Sequence, residues 1–287
     1  MRNWRGLWFV CALGASGAAL GQSPVWPPVG EPTTAPRVTG RWLWADLVTA
    51  DAARSRDFYA ALFGWQIRDA EGAGQPSYLT ITANGRMIGG IVQAANATSG
   101  ARWIELVDGD PKALAERAVQ HGGKVVVAPR TLPGRGDFMV LADPAGAHFA
   151  VVLPERGDPA DHVGGRNEWI WSELWTPDPA QAAAFYRDVF GYTIAAAPRS
   201  AGSPTDAYVL SAGGRARAGV MKTPDSALPA VWIPYVRVDD VAAMVARART
   251  LGARVLVPPQ PHHRSQVAVL VDPMGAPFAL ADWKPQP

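Results

Sequence analysis

Between Arg41 and Ala281 the apolar positions recur at two spacings. Runs in which apolar and polar residues alternate, or in which β-branched residues cluster, predict short strands: "SYLTIT", "KVVVA", "AYVLS" and "RVLV" are examples. Between them lie segments of helical spacing. Asp51 reads as an N-cap, Phe58 and Leu62 as the inward side of the helix, and Gly64 as its left-handed stop. Further on, Asp178 caps, Pro179 takes the first helical position, Phe185 and Val189 face inward and Gly191 ends the turn. One more helix follows each of these. The first starts at Asp110-Pro111 and ends at Gly122; the second starts at Asp239 or Asp240 and ends at Gly252.

The pattern is written twice. "WLWADLVTAD" (42–51) matches "WIWSELWTPD" (169–178), "FYAALFGWQI" matches "FYRDVFGYTI", and "VLADPAGAHFAVV" (140–152) matches "VLVDPMGAPFALA" (269–281). Units of this length are two copies of one domain. The expected architecture is α+β, each half made of two βαβββ modules whose strands form one curved mixed sheet. Helices cover one face and a cup lies on the other. Residues 40–153 form the first domain, 154–167 a polar linker, and 168–287 the second domain, each able to bury its own core.

An opening strand, Thr-x-Asp, "FYxxxFG" and a closing "DPxGAxFA" resemble the vicinal-oxygen-chelate superfamily of glyoxalases, bleomycin-resistance proteins and extradiol dioxygenases, in particular its two-domain glyoxalase-like members. The resemblance covers both halves. It implies the curved sheet and, in metal-using members, His or Glu ligands on the first, fifth and eighth strands, and in glyoxalases on the fourth. Placed on this chain those positions fall on Trp44 and Trp171, on Trp103 and Ile233, and on Ala150 and Ala279, while "RMIGGIVQA" and "RARAGVMK" hold no His, Asp or Glu. None of these side chains is a metal donor, so no metal and no cofactor is expected.

Side chains alternate across a strand. Alternation counted from those positions gives the first cup Trp42, Trp44, Asp46, Trp103, Glu105, His148 and Ala150. It gives the second Trp169, Trp171, Glu173, Trp175, Tyr235, Arg237, Ala279 and Trp283. Leu43, Leu47, Ile104 and Phe149 are left for the helical face. Aromatic cups with a few charges suit a small aromatic or cationic ligand. Asp46 and Glu105, read as neighbours, or Glu173, are the candidate general bases of a metal-independent lyase or isomerase. His148 falls about four residues along the sheet from Glu105, roughly 13 Å at strand rise, too far to share an ion with it. A third reading has the cups filled by their own tryptophans, leaving a structural pseudo-dimer. His262-His263-Arg264 reads as an exposed loop, and His121 as a helix C-terminus.

Composition narrows the partners. A formal charge of +2 over 287 residues, with no basic run, argues against nucleic acid. Met1–Gly21 has a basic start, an apolar stretch and small residues before Gln22, the pattern of a secretory signal cleaved after Gly21. An uncleaved anchor and lipidation at Cys11 fit less well, the first because the run is short, the second because Val10 precedes the cysteine. The mature protein would then be periplasmic or secreted, cysteine-free, without stable membrane insertion, and a monomeric pseudo-dimer or a homodimer. Residues 22–39, rich in proline, read as an extended tether to the first domain.

Overall fold

The computed structural model describes residues 26–34, 36–70, 78–94, 100–197, 206–262 and 265–283. The leader 1–21 and the pair His263-Arg264 lie outside them. No helix among the described residues is long and apolar enough to cross a membrane.

The first half runs β1 (Trp42–Thr49), α1 (Ala52–Phe63), β2 (Gln66–Asp69), β3 (Tyr78–Ala83), β4 (Arg86–Gln93), β5 (Arg102–Asp108), α2 (Pro111–Gln120), β6 (Lys124–Leu132), β7 (Gly136–Ala142) and β8 (His148–Pro154). The second repeats it as β9 (Trp169–Thr176), α3 (Pro179–Phe190), β10 (Thr193–Ala196), β11 (Ala207–Ala212), β12 (Arg215–Lys222), β13 (Val231–Arg237), α4 (Val241–Thr250), β14 (Arg254–His262), β15 (Ser265–Val271) and β16 (Pro277–Ala281). Each half is one eight-stranded mixed sheet, ordered β2-β3-β4-β1-β5-β8-β7-β6 and β10-β11-β12-β9-β13-β16-β15-β14. β1 pairs parallel with β4 and antiparallel with β5, which seams the two modules. The expected α+β tandem is what forms.

Local signals explain the helices. The Asp51 carboxylate accepts from the Arg54 N–H and Asp178 from that of Gln181. Gly64 (φ 73°) and Gly191 (φ 77°) take the left-handed turn that a side chain would strain. Asp240, rather than Asp239, caps α4.

The helical faces do not carry two private cores. α1 and its strands pack with Val241, Val245 and Ala248 of α4 and Phe278 and Leu280 of β16 in one cluster. A second cluster joins Leu114 and Ala118 of α2 to Phe185, Tyr186 and Val189 of α3. Each cluster therefore mixes one module from either half. The sheets face each other across the helices and the cups turn outward. Each half buries a cluster of its own on the cup side and shares its helical-face core with the other half.

The repeated "FY" acquires its meaning here. Phe58 and Phe185 are core residues, but the tyrosines reach across. The Tyr59 hydroxyl donates to Asp272 of the other half (2.9 Å) and accepts from Trp103 Nε1 (3.0 Å). Tyr186 donates to Asp143 (3.3 Å) and accepts from Trp232 Nε1 (2.8 Å). Burial and the adjacent acid push both phenols well above their ordinary range, so they remain donors. Asp143 and Asp272 also accept backbone N–H groups of their own "DPxG" turns. Replacing Tyr59 by Phe should strand a buried carboxyl and an indole N–H and cost about 1–3 kcal/mol. Equilibrium urea unfolding of Y59F, Y186F and the double variant measures this, with losses expected in both singles.

The segment read as a free tether is partly packed. Trp26 and Val29 are buried within the first cup's cluster. Pro32 bridges Pro159, Thr33 N–H donates to Asp158 O (2.8 Å), and Arg37 and Arg41 pair with the buried Asp158. Arg37 also pairs with the buried Asp108.

Candidate functional site

A bulge at the start of each central strand decides which tryptophans see a cup. Trp42 pairs with Val107 and Trp44 with Leu106, so Leu43 is an extra residue; Trp169 pairs with Val236 and Trp171 with Tyr235, leaving Ile170 extra. The bulge turns Trp42 and Trp169 to the helical face, against the alternation count. Trp42 lies on Trp232 (4.5 Å between centroids), and Trp169 against Trp65 and Trp103 (5.1 and 5.0 Å). Leu43 joins the first cup instead.

A second correction concerns β5. Two residues separate β5 from α2 but three separate β13 from α4, so counting back from the helix-ending glycines slips by one between the halves. Asp46 stands opposite Ile104, and Glu173 opposite Ile233. Ile104 and Leu106 therefore line the first cup, as Ile233 and Tyr235 line the second. Trp103 and Glu105 point to the helical side. Asp46 and Glu105 are not a pair, since they occupy opposite faces of adjacent strands. His148 and Glu105 are likewise separated by the sheet, not by length along it. Ala150 keeps its predicted face, as do Trp44, Asp46, Trp171, Glu173, Trp175, Tyr235, Ala279 and Trp283. His148, at the start of β8, is held near pKa 4 by burial and by Arg102. Arg237 ends β13, where it donates to Gly164 O of the linker (3.4 Å).

Glu105 instead sits at the inter-domain contact, where the Ser172 hydroxyl donates to Oε1 and Oε2 has no partner among the described residues. Burial raises its pKa from 4.5 to about 8. The folded state thus binds its proton more tightly than the unfolded chain. This acid's contribution is fully present below about pH 4.5 and declines as pH rises towards 8. Its counterpart by register is Pro234.

The floor of the first cup is a closed polar knot. Asp46 Oδ1 accepts from Trp44 Nε1 (2.8 Å) and from the Tyr78 hydroxyl (2.5 Å), and Oδ2 accepts from Arg135 (2.6 Å). Arg135 also donates to the Tyr78 oxygen (2.7 Å), and burial lifts the Tyr78 phenol far above its usual range. The guanidinium, its side chain fully buried, lies 5.1–5.6 Å from the ring centroids of Tyr78, Trp26 and Trp44. Three faces and one carboxylate thus hold one of the chain's own cations. Around it remains a void of about 20 Å³, space for one water. Alternation along β1 disclosed Asp46. Tyr78, Arg135 and Trp26 were not anticipated, because Arg135 belongs to the β6–β7 turn and Trp26 to the supposed tether.

The second cup differs. Glu173 takes the place of Asp46, its Oε1 accepting from Tyr235 (2.7 Å) and Trp175 Nε1 (3.0 Å). Ala207 stands where the first half has Tyr78, as the pairings with Met221 and Val92 in β12 and β4 align. Trp171 and Trp283 meet edge to face at 5.5 Å. Both are partly exposed, as are Ile170, Met221, Leu228, Val231, Leu256 and Val257. Trp44, Val48, Tyr78 and Val92 of the first cup are buried.

The metal positions of the resemblance, corrected for register, hold Trp44, Ile104 and Ala150 in one cup and Trp171, Ile233 and Ala279 in the other. An indole, alkyl groups and one already-bonded carboxylate do not make a divalent-metal site. Among the described residues no group of three or more His, Cys, Asp or Glu comes together.

Two βαβββ modules per half, seamed by a parallel and an antiparallel pairing around a cup, define a vicinal-oxygen-chelate fold. The chain belongs to the glyoxalase-like domain family, whose model matches residues 42–152 and 171–281. It is 32% identical over 249 residues to "Putative glyoxylase CFP32" of Mycobacterium tuberculosis, covering 85% of this chain and 95% of that protein. It is 32% identical over 259 residues to the anthracycline biosynthesis protein DnrV of Streptomyces peucetius, covering 84% and 92%. Among solved structures, the Mn(II)-bound glyoxalase from Novosphingobium aromaticivorans superposes with a TM-score of 0.60 at 17% identity, over 86% of this chain and 83% of that one. At that identity the likeness speaks for fold alone.

Two changes test the assignments. Arg135→Met should leave the Asp46 carboxylate buried beside two donors but no cation, with a loss of about 3–5 kcal/mol by denaturant unfolding. Glu105→Gln should flatten the fall in thermal midpoint between pH 5 and 8 relative to the parent protein. A parallel pH profile in E105Q would assign that slope to other acids.

Proposed function

We propose that this protein binds a small aromatic or cationic molecule in its second cup, without using a metal. The observation that carries the reading is the difference in exposure of the cups: Trp44 and Tyr78 of the first are buried, whereas Trp171 and Trp283 of the second form a partly exposed aromatic wall. Flat rings can stack on Trp171 and Trp283, and a positive charge would be favoured by the indole faces. A relative named for anthracycline biosynthesis is compatible with a small-molecule ligand in such a cup. The name glyoxylase carried by the mycobacterial relative supports a small-molecule site of the same fold. With Met1–Gly21 acting as a cleaved secretory leader, this activity would lie in the periplasm or outside the cell.

A second reading has Glu173 act as a general base, and its place on the cup floor favours it. Tyr235 and Trp175 both donate to Oε1, which would hold the carboxylate in one orientation. Asp46, committed to Arg135, and Glu105, outside the cup, are poor candidates for that role.

The test uses proflavine, a planar aromatic cation, titrated by fluorescence into the purified protein. Saturable binding is expected, weakened at least tenfold by Trp171→Ala and by Trp283→Ala, with elemental analysis finding less than stoichiometric metal. Binding that is unchanged in both variants removes the second cup from the reading. Stoichiometric tightly held metal removes the metal-free mechanism.

A further inference from the structure

Trp26 behaves in the first cup as a bound molecule would. Its ring meets Tyr78 edge to face at 5.4 Å, lies under the Arg135 guanidinium at 5.3 Å, and lines the remaining void with Val48, Ile104 and Phe138. Among the described residues few polar contacts hold it there. Its backbone N–H donates to Pro133 O (2.8 Å), and Arg135 Nε donates to Pro27 O (3.2 Å). Pro27 and Pro28 have no N–H to give. The firm anchors lie downstream, at the Pro32–Pro159 bridge and in the ion pairs of Arg37 and Arg41 with Asp158. Between plug and anchor stands Gly30, at φ 69°, where an added Cβ would approach Pro159 Cβ to 2.9 Å. Trp26–Val29 is therefore a short aromatic plug on a glycine turn, attached to a fixed stem.

We propose that the first cup is a second binding site, for a flat aromatic ring that stacks against the Arg135 guanidinium, and that Trp26 is its displaceable intramolecular occupant. Ligands of this cup must compete with an indole tethered at high effective concentration. The wild-type cup is thus gated against weak aromatics and opens only to a ligand that outbids Trp26. This does not depend on the reading of the second cup, and the two fail separately.

The experiment is indole complementation in the full chain carrying Trp171→Ala, so that the second cup's wall is already impaired. Adding Trp26→Gly should create a site that takes one free indole per chain, seen by calorimetry and as a concentration-dependent rise in thermal midpoint. The W171A parent should bind indole at least tenfold more weakly. Should the W26G/W171A chain not fold alone, refolding in millimolar indole must restore its near-UV circular dichroism. Gly30→Ala in the W171A chain, which strains the turn without touching the cup, should raise indole affinity over the parent. A folded W26G/W171A chain that binds no indole would show that the cup collapses without Trp26 and overturn the proposal, as would failure of indole to restore an unfolded one. Indole affinity unchanged by G30A would overturn displacement and leave a permanent plug.

Discussion

The structure depends on a reciprocal loan of tyrosine hydroxyls. Tyr59 and Tyr186 each leave their own domain to meet an aspartate of the other, and each is fixed from behind by an indole N–H. These are buried polar groups that must be satisfied, and each finds its partner only when both halves are folded and docked. Arg117 donates to Val189 O (3.1 Å) at the end of α3, and Arg247 to Ala61 O near the end of α1, which repeats the exchange at the helix ends. A single half would expose the apolar side of its sheet together with a phenol that has lost its aspartate.

That constraint explains why the repeat is so legible. Residues that serve the interface were copied in both halves: the Phe-Tyr pair, the glycine after it, the tryptophan of the fifth strand and the aspartate of the closing hairpin. A motif that looks like the mark of a chemistry is, in this chain, the mark of how two sheets are joined. Cup residues are under no such demand. Tyr78 is matched by Ala207, and Val48 by Trp175.

Fold class, helix caps and the order of strands could be read from spacing because they depend on local chemistry: aspartate before a helix, glycine after it, β-branched runs between. The site could be read only in part. Alternation placed Trp44, Trp171 and Glu173 correctly. It failed for Trp42 and Trp169, where one bulged residue reverses every side chain before it, and for Trp103 and Glu105, where the β5–α2 connection, one residue shorter than β13–α4, shifted the count. Both errors are of a single residue, the smallest change that sends a side chain through a sheet. Trp26 was missed for a different reason. Proline-rich composition describes how a chain moves when nothing holds it, and carries no information on a cup waiting eighteen residues ahead at Trp44.

With every helix consumed between the sheets, the cups share no wall and open away from one another. Substitutions at Ile170, Met221 or Leu256 can reshape one concave surface while the joint between the halves, and the opposite surface, stay as they were. A duplicated domain of this kind can keep one copy as ballast and let the other drift towards new small molecules, with the cost of each trial confined to a single side of the protein.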